Sequence, residues 1–141
     1  MKVVLDTNVL VSGLINPHGP PGRIIDLMWS GELALMVDDR IIEEYANVLR
    51  RDYFRRYFNA DETEHVIEFL RHDAIRITCG EIVHGLPDLG DVPFVETALT
   101  ASVPLVTGNA RHFPVALIRG CVILSPAQLM KVFADRCPQK L

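Results

Sequence analysis

Short apolar runs alternate with stretches of helical periodicity along this chain, and that alternation leaves few architectures open. Val3-Val4-Leu5 stops abruptly at Asp6 and reads as a strand buried on both faces, as in a parallel sheet. Leu33 to Val37, Ala74 to Thr78, Val103 to Thr107 and Cys121 to Leu124 read as further strands. A Pro/Gly-rich loop from Asn16 to Gly22 precedes helical spacing over 22–30, through Ile24, Ile25, Leu27 and Met28. Asp38 or Asp39 can cap a helix whose apolar positions Ile41, Ile42, Tyr45, Val48 and Leu49 share a face. A short helix is expected over 53–58 and a longer one over 61–73, capped by Asp61 with Glu64 three residues on. A loop with Gly85, Pro87 and Gly90 leads to a helix over about 91–102, and Ser125-Pro126 opens the last helix with proline at its first position. Strands alternating with helices imply βαβ crossovers. The expected class is α/β: a three-layer α/β/α fold with a mostly parallel sheet of about five strands. With no repeat, linker or low-complexity tract, residues 1–141 read as one domain.

Composition bounds what such a fold could do. Hydrophobic residues make up 49% of the 141 residues, and the mean hydropathy is +0.20. No apolar run approaches the roughly 18 residues of a membrane span. The amino-terminal run meets an acid at position 6, too early for a secretory apolar region. The surplus belongs in a core or a partner surface, so a homodimer is expected. Cys79, Cys121 and Cys137 are odd in number and lack CxxC spacing, which fits free thiols and a cytoplasmic location. The net charge is −4, so a nucleic-acid role needs local basic residues or a metal that inverts the charge at the site.

In an open parallel sheet, function sits at the carboxyl ends of the strands. Asp6-Thr7-Asn8 and Thr107-Gly108-Asn109 occupy such ends. Taken singly, Asp6 can also be a turn or cap residue, Glu44 is more readily a solvated helix acid at the edge of its apolar stripe than a ligand, and Asp91 or its neighbour could equally cap the following helix. Taken together, acids from separate segments at a crevice edge form an oxygen-rich site suited to Mg²⁺ or Mn²⁺. Such a cluster repels itself unless an ion neutralises it. A bound metal that activates water beside a phosphoryl oxygen points to phosphodiester hydrolysis.

The stretches VVLDTNVLVSGL (3–14), IIEEYANVLRR (41–51), DLGDVPFVETALTA (88–101) and LVTGNARHFP (105–114) together resemble the PIN-domain family. Within it the chain is similar to stand-alone members of the VapC type, the toxins of toxin–antitoxin pairs. The resemblance covers almost the whole chain, with four motifs in order. It implies a metal-dependent ribonuclease with Mg²⁺ or Mn²⁺ held by Asp6, Glu44 and Asp91, and with Asp88 as a companion. It also implies an antitoxin partner and a dimer. Asn8, Thr107 and Asn109 would support the site. The chain departs from the family where many PIN nucleases carry an acid in the T-G-D segment or just before the following Phe: here Asn109 and His112 stand in those places.

Residues 50–58 interleave Arg50, Arg51, Arg55 and Arg56 with Tyr53, Phe54, Tyr57 and Phe58. Arginines on phosphate and aromatics on unstacked bases are a common way to hold single-stranded RNA. The competing reading packs the aromatics inward and leaves the arginines solvated. Arg111 and His112 are further candidates for contact with RNA. Two other functions compete: a catalytically weak RNA-binding PIN module, suggested by Asn109 and the acidic charge, and a haloacid-dehalogenase-like phosphatase. The latter needs a second acid two residues after the first, where Asn8 stands.

Overall fold

The computed structural model describes residues 1–136. Five strands, β1 (Lys2–Leu5), β2 (Ala34–Val37), β3 (Ile75–Arg76), β4 (Leu105–Val106) and β5 (Ile123–Leu124), form one sheet in the order β3-β2-β1-β4-β5. All four pairings are parallel, with Val3 beside Leu35 and Leu5 beside Val106. Six helices cover the sheet in a three-layer α/β/α arrangement: α1 (Thr7–Ile15), α2 (Pro20–Ser30), α3 (Asp39–Leu49), α4 (Ala60–Asp73), α5 (Val92–Ala101) and α6 (Pro126–Arg136). Helix α2 packs on α1 and α6, α5 on β1 and β2, and α3 on α4 and α5. Val3, Val4, Leu5, Leu105 and Val106 have no accessible surface, as expected of strands with helices on both sides.

The periodicity placed the amphipathic elements well and missed α1. Five of its nine residues are buried, among them the run Val9-Leu10-Val11, and its exposed polar positions are Asn8 and Ser12 alone, so the stripe that marks a half-buried helix is faint. The loop expected to Gly22 is shorter, because Pro20 and Pro21 form the first helical turn of α2, where a missing N–H costs nothing. The cap of α4 is Asn59 with Glu62 in a full capping box, not Asp61 with Glu64; Glu64 turns away to pair with Arg50 at 2.8 Å. Residues 52–56 form a 3-10 turn where a short helix was expected, and another 3-10 turn, Leu89–Asp91, precedes α5. The three later strands shrink to two residues each. Cys79 and Cys121 are half-buried free thiols; Cys137 lies outside the described residues.

Helices α1 and α2 approach through glycine. A β-carbon at Gly13 would lie 2.4 Å from both the Pro21 carbonyl oxygen and Ile25 Cγ1. The Gly13→Ala change therefore sets a helix-propensity gain of about 1 kcal/mol against a clash with backbone that cannot rotate away. The expected net result is a loss of about 1–3 kcal/mol, read as a lower urea midpoint at unchanged slope. A rise in the midpoint would show that the two helices separate freely.

Candidate active site

From β1 the chain moves out through β2 to β3, then returns to the other side of β1 for β4 and β5. The reversal opens a crevice beyond the carboxyl ends of β1 and β4. Asp6 follows β1 and Thr107 follows β4, so register alone brings them together. Thr107 Oγ1 donates to Asp6 Oδ2 at 2.7 Å and accepts from the Asn109 amide at 3.0 Å. The Asp6 amide donates to the Val106 carbonyl at 2.9 Å. Asp6 is buried, and burial raises its carboxyl above the ordinary aspartate value. The Thr107 hydroxyl offsets part of this, as do the Thr7 and Asn8 amides at the start of α1 and the nearby His112. Those two amides lie near the carboxylate without the alignment of a capping bond.

Glu44 reaches the same crevice from α3. Asp38 caps α3 by accepting from the Ile41 amide at 3.0 Å. One residue beyond Glu44, the fully buried Tyr45 donates its hydroxyl to the Leu5 carbonyl. That bond ties α3 to the end of β1 and leaves Glu44 at the rim, where Thr7 donates its hydroxyl to Glu44 Oε2. Burial first, then the charges of Asp6 and Glu44, hold the Tyr45 phenol well above its ordinary pKa.

Asp91 stands where the 3-10 turn meets α5. Asp88 caps the 3-10 turn, accepting from the Gly90 amide at 2.8 Å. Asp91 occupies the N-cap position of α5 without a side-chain capping bond. Its Oδ2 is buried and accepts no hydrogen bond, and His112 Nδ1 lies 3.5 Å from it. Burial, then the charges of Asp6 and Asp88, with Glu44 adding less, push its carboxyl up to about 6, while His112 pulls it down. The glycine between the two acids keeps the turn close to α3: a β-carbon on Gly90 would lie 3.2 Å from Asp88 Oδ1 and 3.9 Å from Glu44 Oε1.

Four acids from three separate parts of the chain thus share one electrostatic neighbourhood, and it contains a buried oxygen with no partner. Oxygen donors alone suit a hard divalent cation. Among the described residues, no three His, Cys, Asp or Glu side chains already close around a common point, and Glu44 commits one oxygen to Thr7. Mg²⁺ is usually held by one or two carboxylates with waters and substrate phosphates, so the donor set fits that ion without a protein-only cage.

The remaining candidates divide. Asn109 is half-buried beside Thr107, and His112 flanks Asp91. Asn8 and Arg111 are exposed. Arg50 is engaged with Glu64, and Arg55 with the Thr63 hydroxyl and the Arg50 carbonyl. Sequence reasoning did not pick out Thr7 or Tyr45. The hydroxyl of Tyr45 was hidden by its place in an apolar stripe. Thr7 was visible as a polar residue at a strand end, but nothing in the sequence pointed it at Glu44.

The sequence profile of the PIN domain matches residues 2–111. The chain is also 27% identical over 110 residues to an uncharacterized protein of Methanocaldococcus jannaschii, covering 77% of this chain and 71% of that one.

The charge cluster has a pH signature. The folded-state carboxyl of Asp91, at about 6, lies above its ordinary value of 3.8. Its contribution to stability is therefore present at acid pH and is lost as pH rises from about 4 through 6, when ionisation forces a charge into the cluster. In thermal melts with EDTA, Asp91→Asn should flatten that fall and melt higher than the parent at pH 7–8. Parallel curves for the two proteins would show that Asp91 is not under electrostatic strain.

Proposed function

The chain belongs to the PIN-domain family, whose members are typically nucleases that use divalent metals, and on that premise we propose that it is a metal-dependent endoribonuclease. In this reading Asp6, Glu44 and Asp91 hold Mg²⁺ or Mn²⁺, and Asp88 is available as a further ligand. The observation that carries it is the buried Asp91 oxygen that accepts no hydrogen bond, set among three other acids that form no ion pair with an arginine or lysine among the described residues. A divalent ion bound there would lower the pKa of a coordinated water and stabilise charge on a phosphoryl oxygen.

The chain's own groups supply position. Thr107 holds one oxygen of Asp6 and Thr7 holds one oxygen of Glu44, which leaves the second oxygen of each for a ligand. His112 stands beside Asp91, half-exposed, where it can meet an incoming phosphate. Asn109, with Thr107 beneath it, offers an amide where a carboxylate would strengthen metal binding. That substitution favours a second reading, a catalytically weak RNA-binding module. As an active nuclease, the protein would act in the cytoplasm as the toxin of a toxin–antitoxin pair, as a homodimer neutralised by an antitoxin.

Asp6→Asn, Glu44→Gln and Asp91→Asn should each reduce RNA cleavage by at least about 10²-fold while leaving the circular dichroism spectrum unchanged. Cleavage should need Mg²⁺ or Mn²⁺, stop with EDTA, and leave 5′-phosphate and 3′-hydroxyl ends. Cyclic phosphate ends with EDTA-resistant activity would overturn the mechanism, and a wild-type protein that binds RNA without cutting it would favour the second reading.

A Mn²⁺ titration of the cleavage rate tests Asn109 separately. Asn109→Asp should lower the half-maximal metal concentration by roughly fivefold, or about 1 kcal/mol, once repulsion from the other acids has offset most of the added attraction. An unchanged midpoint there, with a large loss in Asp88→Asn, would move the further ligand to Asp88.

A further inference from the structure

The turn after α3 sorts its aromatic rings by face. Phe54 and Phe58 stack on each other at 6.0 Å and 15° and pack against the core. Tyr53 and Tyr57 are 58% and 44% exposed, with ring centroids 6.4 Å apart. The Arg56 guanidinium lies 4.8 Å from the Tyr53 ring and 5.8 Å from the Tyr57 ring. The four arginines divide as well: Arg50 and Arg55 hold the local fold, whereas Arg51 and Arg56 have no acidic partner among the described residues.

Two phenol rings exposed to this degree add little to the core. What they present outward is aromatic surface beside a delocalised cation, in a chain whose net charge is −4. Every base has a face that stacks on such rings, and arginine serves both stacking and phosphate contact. In a duplex the bases are already stacked and cannot reach the rings. Arg51 lies two residues past the end of α3, whose last residue, Leu49, follows Glu44 by five residues, about 7.5 Å of helical rise.

Building on the ribonuclease reading, we propose that Tyr53, Arg56 and Tyr57 form a stacking platform for unpaired bases, with Arg51 meeting the adjoining phosphates. The substrate class is then a single-stranded RNA segment, and the platform sets how far the strand must stay unpaired beyond the cut.

The test is fluorescence anisotropy of the full chain with a labelled, non-self-complementary oligoribonucleotide and with a hairpin of equal length, in EDTA and again in Ca²⁺. Tyr53→Ala/Tyr57→Ala should weaken binding of the unpaired strand about tenfold or more at an unchanged melting temperature, with little change for the hairpin stem. Tyr53→Phe/Tyr57→Phe, which keeps both ring faces, should bind within about twofold of the parent. Arg51→Gln and Arg56→Gln should each reduce the salt dependence of binding by about one phosphate contact. The proposal is overturned if the alanine pair binds the single strand as tightly as the parent, or if it loses hairpin and single strand equally. It is also overturned if light scattering shows that the pair dissociates a dimer while RNA affinity holds, which would make the patch a contact between copies. Binding that depends on both tyrosines in a protein that never cuts RNA would keep the platform and sink the nuclease reading. Cleavage lost in Asp91→Asn with affinity unchanged in the alanine pair would do the reverse.

Discussion

Parallel pairing along both edges of a strand satisfies its backbone completely, and β1 combines that with side chains that have no accessible surface at Val3, Val4 and Leu5. Such a strand has nowhere to place a charge until it ends, so its first polar residue, Asp6, emerges at the point where the sheet changes direction. The neighbouring elements are secured to this strand end: β4 through the Asp6 amide, α3 through the Tyr45 hydroxyl on the Leu5 carbonyl. The crevice inherits its shape from the core, and its acids stand on rigid supports.

Two acidic pairings in the same molecule show what neutralisation looks like and what its absence implies. On α3 and α5, Asp38 and Glu96 are both buried, and Arg40 bridges them at 2.7 and 2.8 Å. Glu96 uses its second oxygen to accept from the Val83 amide at 2.8 Å, which pins the irregular segment before α5. These acids have an internal counter-ion and a structural task. Asp6, Glu44, Asp88 and Asp91 form no ion pair with an arginine or lysine among the described residues, and His112 stands 3.5 Å from Asp91. Burying unpaired carboxylates costs stability, and the molecule places that cost in one crevice while balancing the other acids with an arginine.

Much of this was legible in the residues, for reasons that also explain what was not. The parallel sheet followed from apolar runs that end at Asp6 and Thr107, the position of α3 from amphipathic spacing, and that of α5 from the loop with Gly85, Pro87 and Gly90 that leads into it. Helix α1 escaped because most of it is buried and two exposed polar residues, Asn8 and Ser12, leave only a faint stripe. The cap at Asn59 escaped because Asp61 and Glu64 offer the same residue types two positions later, and only coordinates show which backbone amides are free. Asp6, Glu44 and Asp91 were singled out before any geometry was known, and the structure draws them into one neighbourhood. It also resolves the ambiguity between Asp88 and Asp91, since one caps the turn and the other is left unbonded. The aromatic cluster at 53–58 fitted neither expectation alone: the phenylalanines pack inward and the tyrosines do not, a division that a run of mixed rings on a tight turn does not reveal.

The sheet ends on strands of two residues at both edges, β3 at Ile75–Arg76 and β5 at Ile123–Leu124. An edge that short offers too few unpaired amides and carbonyls to template a strand from another molecule. A polypeptide with nearly half its residues hydrophobic is thereby protected from strand-to-strand growth, the commonest route to fibrous aggregation.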